Sequence, residues 1–214
     1  VCFGSGGPGH THLINGMYDA KFDKVPMLVI AASTHSKNLT TDYFQEMDPV
    51  PLYTDVSVFN RMVLNPQELP RVIDQAIRTA YRDRGVAVVH VPVDIGYAEI
   101  EDNYVSSAHA YEVTYPLHRQ EDIVKAYDII KEAKRPVIFA GRGTHHAREE
   151  LKELSEKLKI PVMLTFLGKG AMDDAHPNYL GQLGRLGTKP SMEAIEKTDL
   201  IIMIGAEYPF GRDY

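Results

Sequence analysis

The sequence predicts an α/β protein built on parallel sheets, and three observations carry that expectation. Five short apolar runs, at residues 25–33, 85–94, 135–143, 160–166 and 199–208, are rich in Val and Ile without clean alternation, as strands covered on both faces are. Between them lie helical periods: Leu69, Val72, Ile73, Ala76, Ile77 and Ala80 share one face, and Leu151, Leu154 and Leu158 form a stripe among Glu and Lys. Strands alternating with helices require crossover connections, which leave the strands parallel.

The elements follow in order. The opening VCFGSGGPGHTHLINGMYDA passes from a strand-like start, without an initiator Met, into a loop of four glycines and a proline and then a helix-like stretch. The runs at 25–33 and 85–94 continue this first unit. From Glu99 to Gln120 the chain is polar and aperiodic, which reads as an extended linker and divides the chain into domains 1–114 and 115–214. The second unit holds three convincing strands, the last close to Asp213-Tyr214. Two incomplete parallel-sheet α/β domains are therefore expected, as in a fragment of a longer polypeptide.

A net charge of −6 with no basic run leaves no electrostatic footprint for nucleic acid, so the expected partner is a small molecule or a second copy of the chain. Cys2 is the only cysteine, which excludes an internal disulfide and reads as a buried structural thiol in a reducing compartment. No apolar run reaches the ~18–20 residues that span a bilayer, and the start lacks the basic n-region of a signal peptide. The expected location is cytoplasmic.

Three segments carry chemistry. In GSGGPGHTHLING, Gly4, Gly6, Gly7 and Gly9 remove side chains where a strand gives way to a helix, which suits a flat ring or a phosphate and equally suits a tight turn with no ligand. Pro8 sits among them, and His10, Thr11 and His12 place polar groups at the crevice where α/β proteins bind ligands. Neither His10 with His12 nor His145 with His146 has the i, i+4 spacing of a helical metal pair, so no metal site is expected. The second segment, YFQEMDPVPLYTDVSVFN, offers Phe44 as a ring contact and Gln45 as a neutral hydrogen-bonding group; for the segment taken alone, the favoured reading is instead one short helix with Phe44 and Met47 packed inward. In the third, FAGRGTHHA, Gly141 and Gly143 stand between a strand and a helix, where a pyrophosphate can approach the helix N-terminus. As a nicotinamide fingerprint it fails, because His146 replaces the third glycine and the next strand ends LTF without an acidic group for the ribose. A different dinucleotide geometry would draw on Thr165, Lys169, Arg185 and Lys189, each of which singly is also an ordinary surface group.

These segments, in this order, resemble thiamine-diphosphate-dependent enzymes of the pyruvate oxidase and acetohydroxyacid synthase group, and most closely the flavin-containing pyruvate oxidases. The motifs VCFGSGGPGHTHLINGMYDA, FQEM with YTDVSVFN, GVAVVHVPVD, KRPVIFAG, LGRLGTKP and GAEYPF span nearly the whole chain. The resemblance implies the latter part of a pyrimidine-binding domain followed by the first part of a central FAD-binding, Rossmann-like domain. It places Gly7, Pro8 and Gly9 near the aminopyrimidine, makes His12, Phe44 and Gln45 the active-site positions, and assigns Gly141, Gly143, Thr165, Lys169, Arg185 and the segment Gly205 to Tyr208 to FAD. It implies oxidative decarboxylation of pyruvate with phosphate and O2 to acetyl phosphate, CO2 and H2O2, in a homotetramer. The cofactors implied are thiamine diphosphate, FAD and Mg2+, the last held by a domain not represented here.

Three departures stand out. The glutamate that activates the cofactor in this group has no counterpart after Val1, no Gly-Asp-Gly metal motif occurs, and GAEY carries Ala206 and Glu207 where the oxidases have polar amides. The 214 residues alone are therefore expected not to turn over. A carboligase with structural FAD, and a non-catalytic nucleotide-binding or assembly module, are the competing readings.

Overall fold

The computed structural model describes residues 1–108 and 117–207. The chain divides into two compact units, Val1–Thr114 and Tyr115–Tyr214. Each is built around a four-stranded, wholly parallel sheet.

In the first unit the strands are β1 (Cys2–Gly4), β2 (Met27–Ser33), β3 (Ser57–Met62) and β4 (Val86–Pro92), in the order β1-β2-β4-β3. Right-handed crossovers send the connections to both faces of such a sheet. Helices α1 (Pro8–Thr11) and α2 (Ile14–Phe22) follow β1, α3 (Pro49–Tyr53) precedes β3, and α4 (Leu69–Asp83) links β3 to β4. Because successive strand residues point to opposite faces, Val86 and Val88 pack with Met17, Ala20 and Tyr53, whereas Ala87 and Val89 pack with Val72, Ala76 and Ala80. Both faces of β4 are thus covered, which explains its uninterrupted apolar run. α4 closes at Arg84, whose left-handed φ of 50° ends the helix where Gly85 starts the return into β4. A short helix, α5 (Val93–Tyr97), follows β4.

The stretch after α5 is less free than its composition implies. Gln67 bonds to the backbone of Glu101 and the side chain of Asn103, and the Asp74 carboxylate accepts from Tyr104 and Ser107. Residues 101–107 are thereby tied to α4, through Asp74, and to the turn that precedes it, through Gln67. Of the expected linker, residues 109–116 lie outside the described residues.

In the second unit α6 (Gln120–Glu132) leads into β5 (Pro136–Ala140), then α7 (Arg148–Leu158), β6 (Val162–Leu164), β7 (Tyr179–Gln182), α8 (Lys189–Lys197) and β8 (Leu200–Ile204). The strand order is β7-β6-β5-β8, four strands against the three legible in the sequence. β7 is a short edge strand interrupted by Gly181 at φ 100°, which gives it no apolar run to read. Ile138, Val162 and Leu164 pack with Leu151 of α7, while Val137, Phe139 and Met163 face Met192 and Ile195 of α8. No helix among the described residues is long and apolar enough to cross a membrane.

Candidate functional site

In the first unit the connections at the carboxyl ends of β1 and β2 meet. Gly7 has φ 60° and ψ −122°, a conformation only glycine adopts without strain, and a Cβ there would lie 2.8 Å from both the Cβ and the carbonyl oxygen of Gln45. The loop carrying Gly7, Pro8 and Gly9 therefore abuts the loop carrying Phe44 and Gln45, although 38 positions separate Gly7 from Gln45. A Cβ on Gly9 would strike the Ser5 side chain, so this loop is closed on itself. Gly6 is different: its Cβ would meet nothing nearer than the Ala32 carbonyl oxygen at 3.8 Å, leaving room beside the end of β2. Pro8 opens α1 and His12, exposed, follows its last residue.

Phe44 lies 77% exposed in a turn, which corrects the expectation of an inward-packed helix; the short helix in this region is α3, further on. A bare aromatic ring beside an amide and an open glycine is a surface that a flat ligand can cover.

Sequence reasoning missed the groups beneath this loop. His10 is buried and its Nδ1 meets the Tyr53 hydroxyl at 2.5 Å, while that hydroxyl donates to the His10 carbonyl oxygen at 3.0 Å. Both contacts are satisfied when His10 carries its proton on Nδ1. Tyr53 stacks on His90 with ring centroids 5.5 Å apart, and His90 Nε2 donates to the Asn60 side-chain oxygen at 2.7 Å. The Asn60 amide in turn donates to the Val50 carbonyl in α3. Burial lowers the pKa of His90 to about 4, helped by charge on His10, and burial also lowers that of His10. Tyr53 is pushed up to about 12, chiefly by burial. The cluster is neutral at pH 7 and fastens the glycine loop to α3. Only His10 carried a signal in the sequence, as one of three polar residues after the glycines; the pairing with His90 is tertiary.

In the second unit Gly141 and Gly143 cross Gly205. The Gly141 N–H donates to the Ile204 carbonyl and the Gly143 N–H to the Gly205 carbonyl, both at 2.9 Å. A Cβ at Gly141 would sit 2.4 Å from the Gly205 oxygen, and one at Gly143 would sit 2.7 Å from the Gly205 Cα. These glycines are thus required by contact between the ends of β5 and β8, a reason the sequence did not show. Gly143 and Gly205 themselves remain exposed, so bare backbone reaches the surface there.

The helix expected to receive a pyrophosphate does not start at these glycines. A 3-10 turn, Arg142–His146, intervenes, and α7 begins at Arg148 with Glu149 and Glu150 in its first turn. Two carboxylates already meet the positive end of that helix and would repel an anion. Thr165 accepts from the Gly168 N–H at 3.0 Å and its own N–H donates to the Ala140 carbonyl, which places it beside Gly141. Lys169 is ion-paired with Asp174. Arg185 is exposed on the turn after β7. Tyr208 lies outside the described residues. Among the described residues no three or more His, Cys, Asp or Glu side chains converge in a way that could hold a metal ion.

Two units, each with a wholly parallel sheet and close-packed glycines at its strand ends, define an α/β protein of two domains. Residues 1–52 match the thiamine pyrophosphate enzyme N-terminal TPP binding domain, and residues 123–214 match the thiamine pyrophosphate enzyme central domain. The chain belongs to the thiamine pyrophosphate enzyme family. It is 42% identical over its whole length to YdaP of Bacillus subtilis, described as thiamine pyrophosphate-containing, and 42% identical over 98% of its length to a pyruvate oxidase of Lactiplantibacillus plantarum. Over 97% of its length it is 32% identical to the acetolactate synthase isozyme 1 large subunit of Escherichia coli. It spans 37%, 35% and 37% of these three relatives, about a third of their length.

Proposed function

We propose that this chain is the coenzyme- and substrate-positioning part of a thiamine diphosphate- and FAD-dependent pyruvate oxidase, whose whole protein converts pyruvate, phosphate and O2 to acetyl phosphate, CO2 and H2O2. The observation that carries the reading is the contact of Gly7 with Gln45, which joins the glycine loop and the Phe-Gln loop at one sheet edge. The higher identity to a pyruvate oxidase than to an acetolactate synthase, 42% against 32%, supports the oxidase over the carboligase.

Bound thiamine diphosphate supplies stabilisation of a carbanion and bound FAD a two-electron acceptor. The residues of this chain do the rest of the local work. Gln45 and His12 would orient the substrate carboxylate by hydrogen bonds, and the exposed Phe44 ring would help exclude water from the reaction centre. The open side of Gly6 and the backbone of Gly7, Pro8 and Gly9 would line the pyrimidine end of thiamine diphosphate. In the second unit the exposed backbone at Gly143 and Gly205, with Thr165 beside Gly141, would form the platform for FAD, with Arg185 and Lys169 as its cations; Tyr208, the remaining candidate, lies outside the described residues. Lys169 would have to exchange Asp174 for a phosphate, and Mg2+ would be held by residues outside this chain. In this reading the enzyme is a cytoplasmic homotetramer.

Titration of the 214-residue chain with FAD, followed by flavin fluorescence with NAD as control, tests the platform. Quenching with FAD and no NAD binding is expected; binding of neither leaves the assembly module as the better account.

A further inference from the structure

The third residue of Phe44-Gln45-Glu46 has no place in the site described so far. Its carboxylate accepts the N–H of Thr40 on one oxygen, and the N–H groups of Thr41 and Tyr43 on the other at 3.2 and 3.0 Å. The Glu46 N–H in turn donates to the Tyr43 carbonyl at 2.8 Å. The chain is wrapped around one of its own carboxylates.

That wrapping is conformationally costly. Thr40, Asp42 and Gln45 have φ of 69°, 57° and 60°, in the left-handed region that residues with a Cβ avoid, and Thr40 is branched at that atom. Such residues persist where their surroundings over-determine the backbone. Here the constraint is the anchored carboxylate at one end and the Gly7 backbone at the other. The result is a Phe44 ring held outward and a Gln45 pressed against Gly7.

We infer that Glu46 is a positioning residue: its ionised carboxylate holds the 40–46 loop in the strained form that presents Phe44 and Gln45 at the carboxyl edge of the first sheet. What Phe44 and Gln45 act upon rests on the pyruvate oxidase reading, whereas the latch itself is a property of this chain. The carboxylate is held below the usual glutamate range, first by the Thr40 amide and then by those of Tyr43, Thr41 and Asp42. The other ionisable side chains between β2 and β3 are His35, Lys37, Asp42, Tyr43, Asp48, Tyr53 and Asp55, and none of these side chains contributes to that lowering.

Solution NMR of the 214-residue chain tests the latch without any substrate. In the wild type the amide protons of Thr40, Thr41 and Tyr43 are expected to move together with pH, with one midpoint below that of a free glutamate. A nuclear Overhauser contact between the Gly7 α-protons and the Gln45 side chain is expected as well. Glu46→Gln keeps the size but gives up one acceptor oxygen; the three amides should exchange at least tenfold faster and the Gly7 to Gln45 contact should fade, while amides of β4 keep their protection. Amides that titrate independently or not at all in the wild type overturn the inference, as does a folded Glu46→Gln chain with unchanged exchange and an unchanged contact. If Glu46→Gln does not fold, the wild-type titration decides alone. Pyruvate enters none of these readouts, so failure of the latch and failure of the oxidase reading are separate results.

Discussion

Gly7 touches Gln45 so closely that a Cβ on the former would stand 2.8 Å from the Cβ of the latter. Gly7→Ala must therefore both leave a glycine-only conformation and displace the Phe-Gln loop. A loss of about 1–3 kcal/mol is expected from the backbone alone, read as a lower urea midpoint at unchanged slope. Unchanged stability would mean that the two loops do not meet.

The crossing in the second unit makes a parallel prediction. At Gly205, φ is 55° and a Cβ would lie 2.7 Å from the Gly143 backbone. Gly205→Ala should cost about 2 kcal/mol through overpacking and should speed amide exchange at Gly141 and Gly143, whose N–H groups bond to Ile204 and Gly205. Exchange at wild-type rates at both glycines would contradict it.

The parallel sheets were legible because β2, β4, β5 and β6 are buried enough to need largely apolar sequence, and β8, although half-buried to exposed at the edge of its sheet, is written in Leu, Ile and Met throughout. β3 was hidden by Asn60 and Arg61, which a strand at the edge of its sheet tolerates. β7 was hidden by its brevity. The glycine positions were readable as bends, but not their cause, since it lies in a second segment that only the fold brings near. The same holds for His10 and His90, 80 residues apart and joined through Tyr53. Residues 101–107 read as linker because polar side chains carry no period, yet Gln67 and Asp74 hold them.

Tyr53→Phe removes one hydroxyl, which leaves the buried His10 Nδ1 without its bond and the His10 carbonyl with only the Leu13 N–H at 3.2 Å. An unmet buried polar group costs about 1–3 kcal/mol, so thermal unfolding should occur several degrees lower. Because the ring still fills its site against His90, the fold should persist, with the loss concentrated in exchange at residues 7–12. A variant as stable as the wild type would show that the hydroxyl is not bonded.

The two histidines give the first unit an acid limit. Their folded-state pKa values lie below the ordinary 6.5, for His90 at about 4, so between these values the unfolded chain binds more protons than the folded one. Stability from this source is complete above pH 6.5 and is lost as pH falls towards 4. For His90 the full span is worth about 3 kcal/mol. Carboxylates titrate in the lower part of the same window, which makes the comparison with His90→Gln the informative one. The wild type should lose stability more steeply than the variant from pH 6.5 downward, and parallel curves would contradict the buried neutral pair.

The polypeptide containing this chain, extended to the length of its relatives and supplied with thiamine diphosphate, Mg2+, FAD, phosphate and pyruvate in air, offers the most direct measurement: which product accumulates. The account predicts acetyl phosphate and hydrogen peroxide in equal amounts. Acetolactate formed without peroxide would contradict it and move the protein to the carboligases.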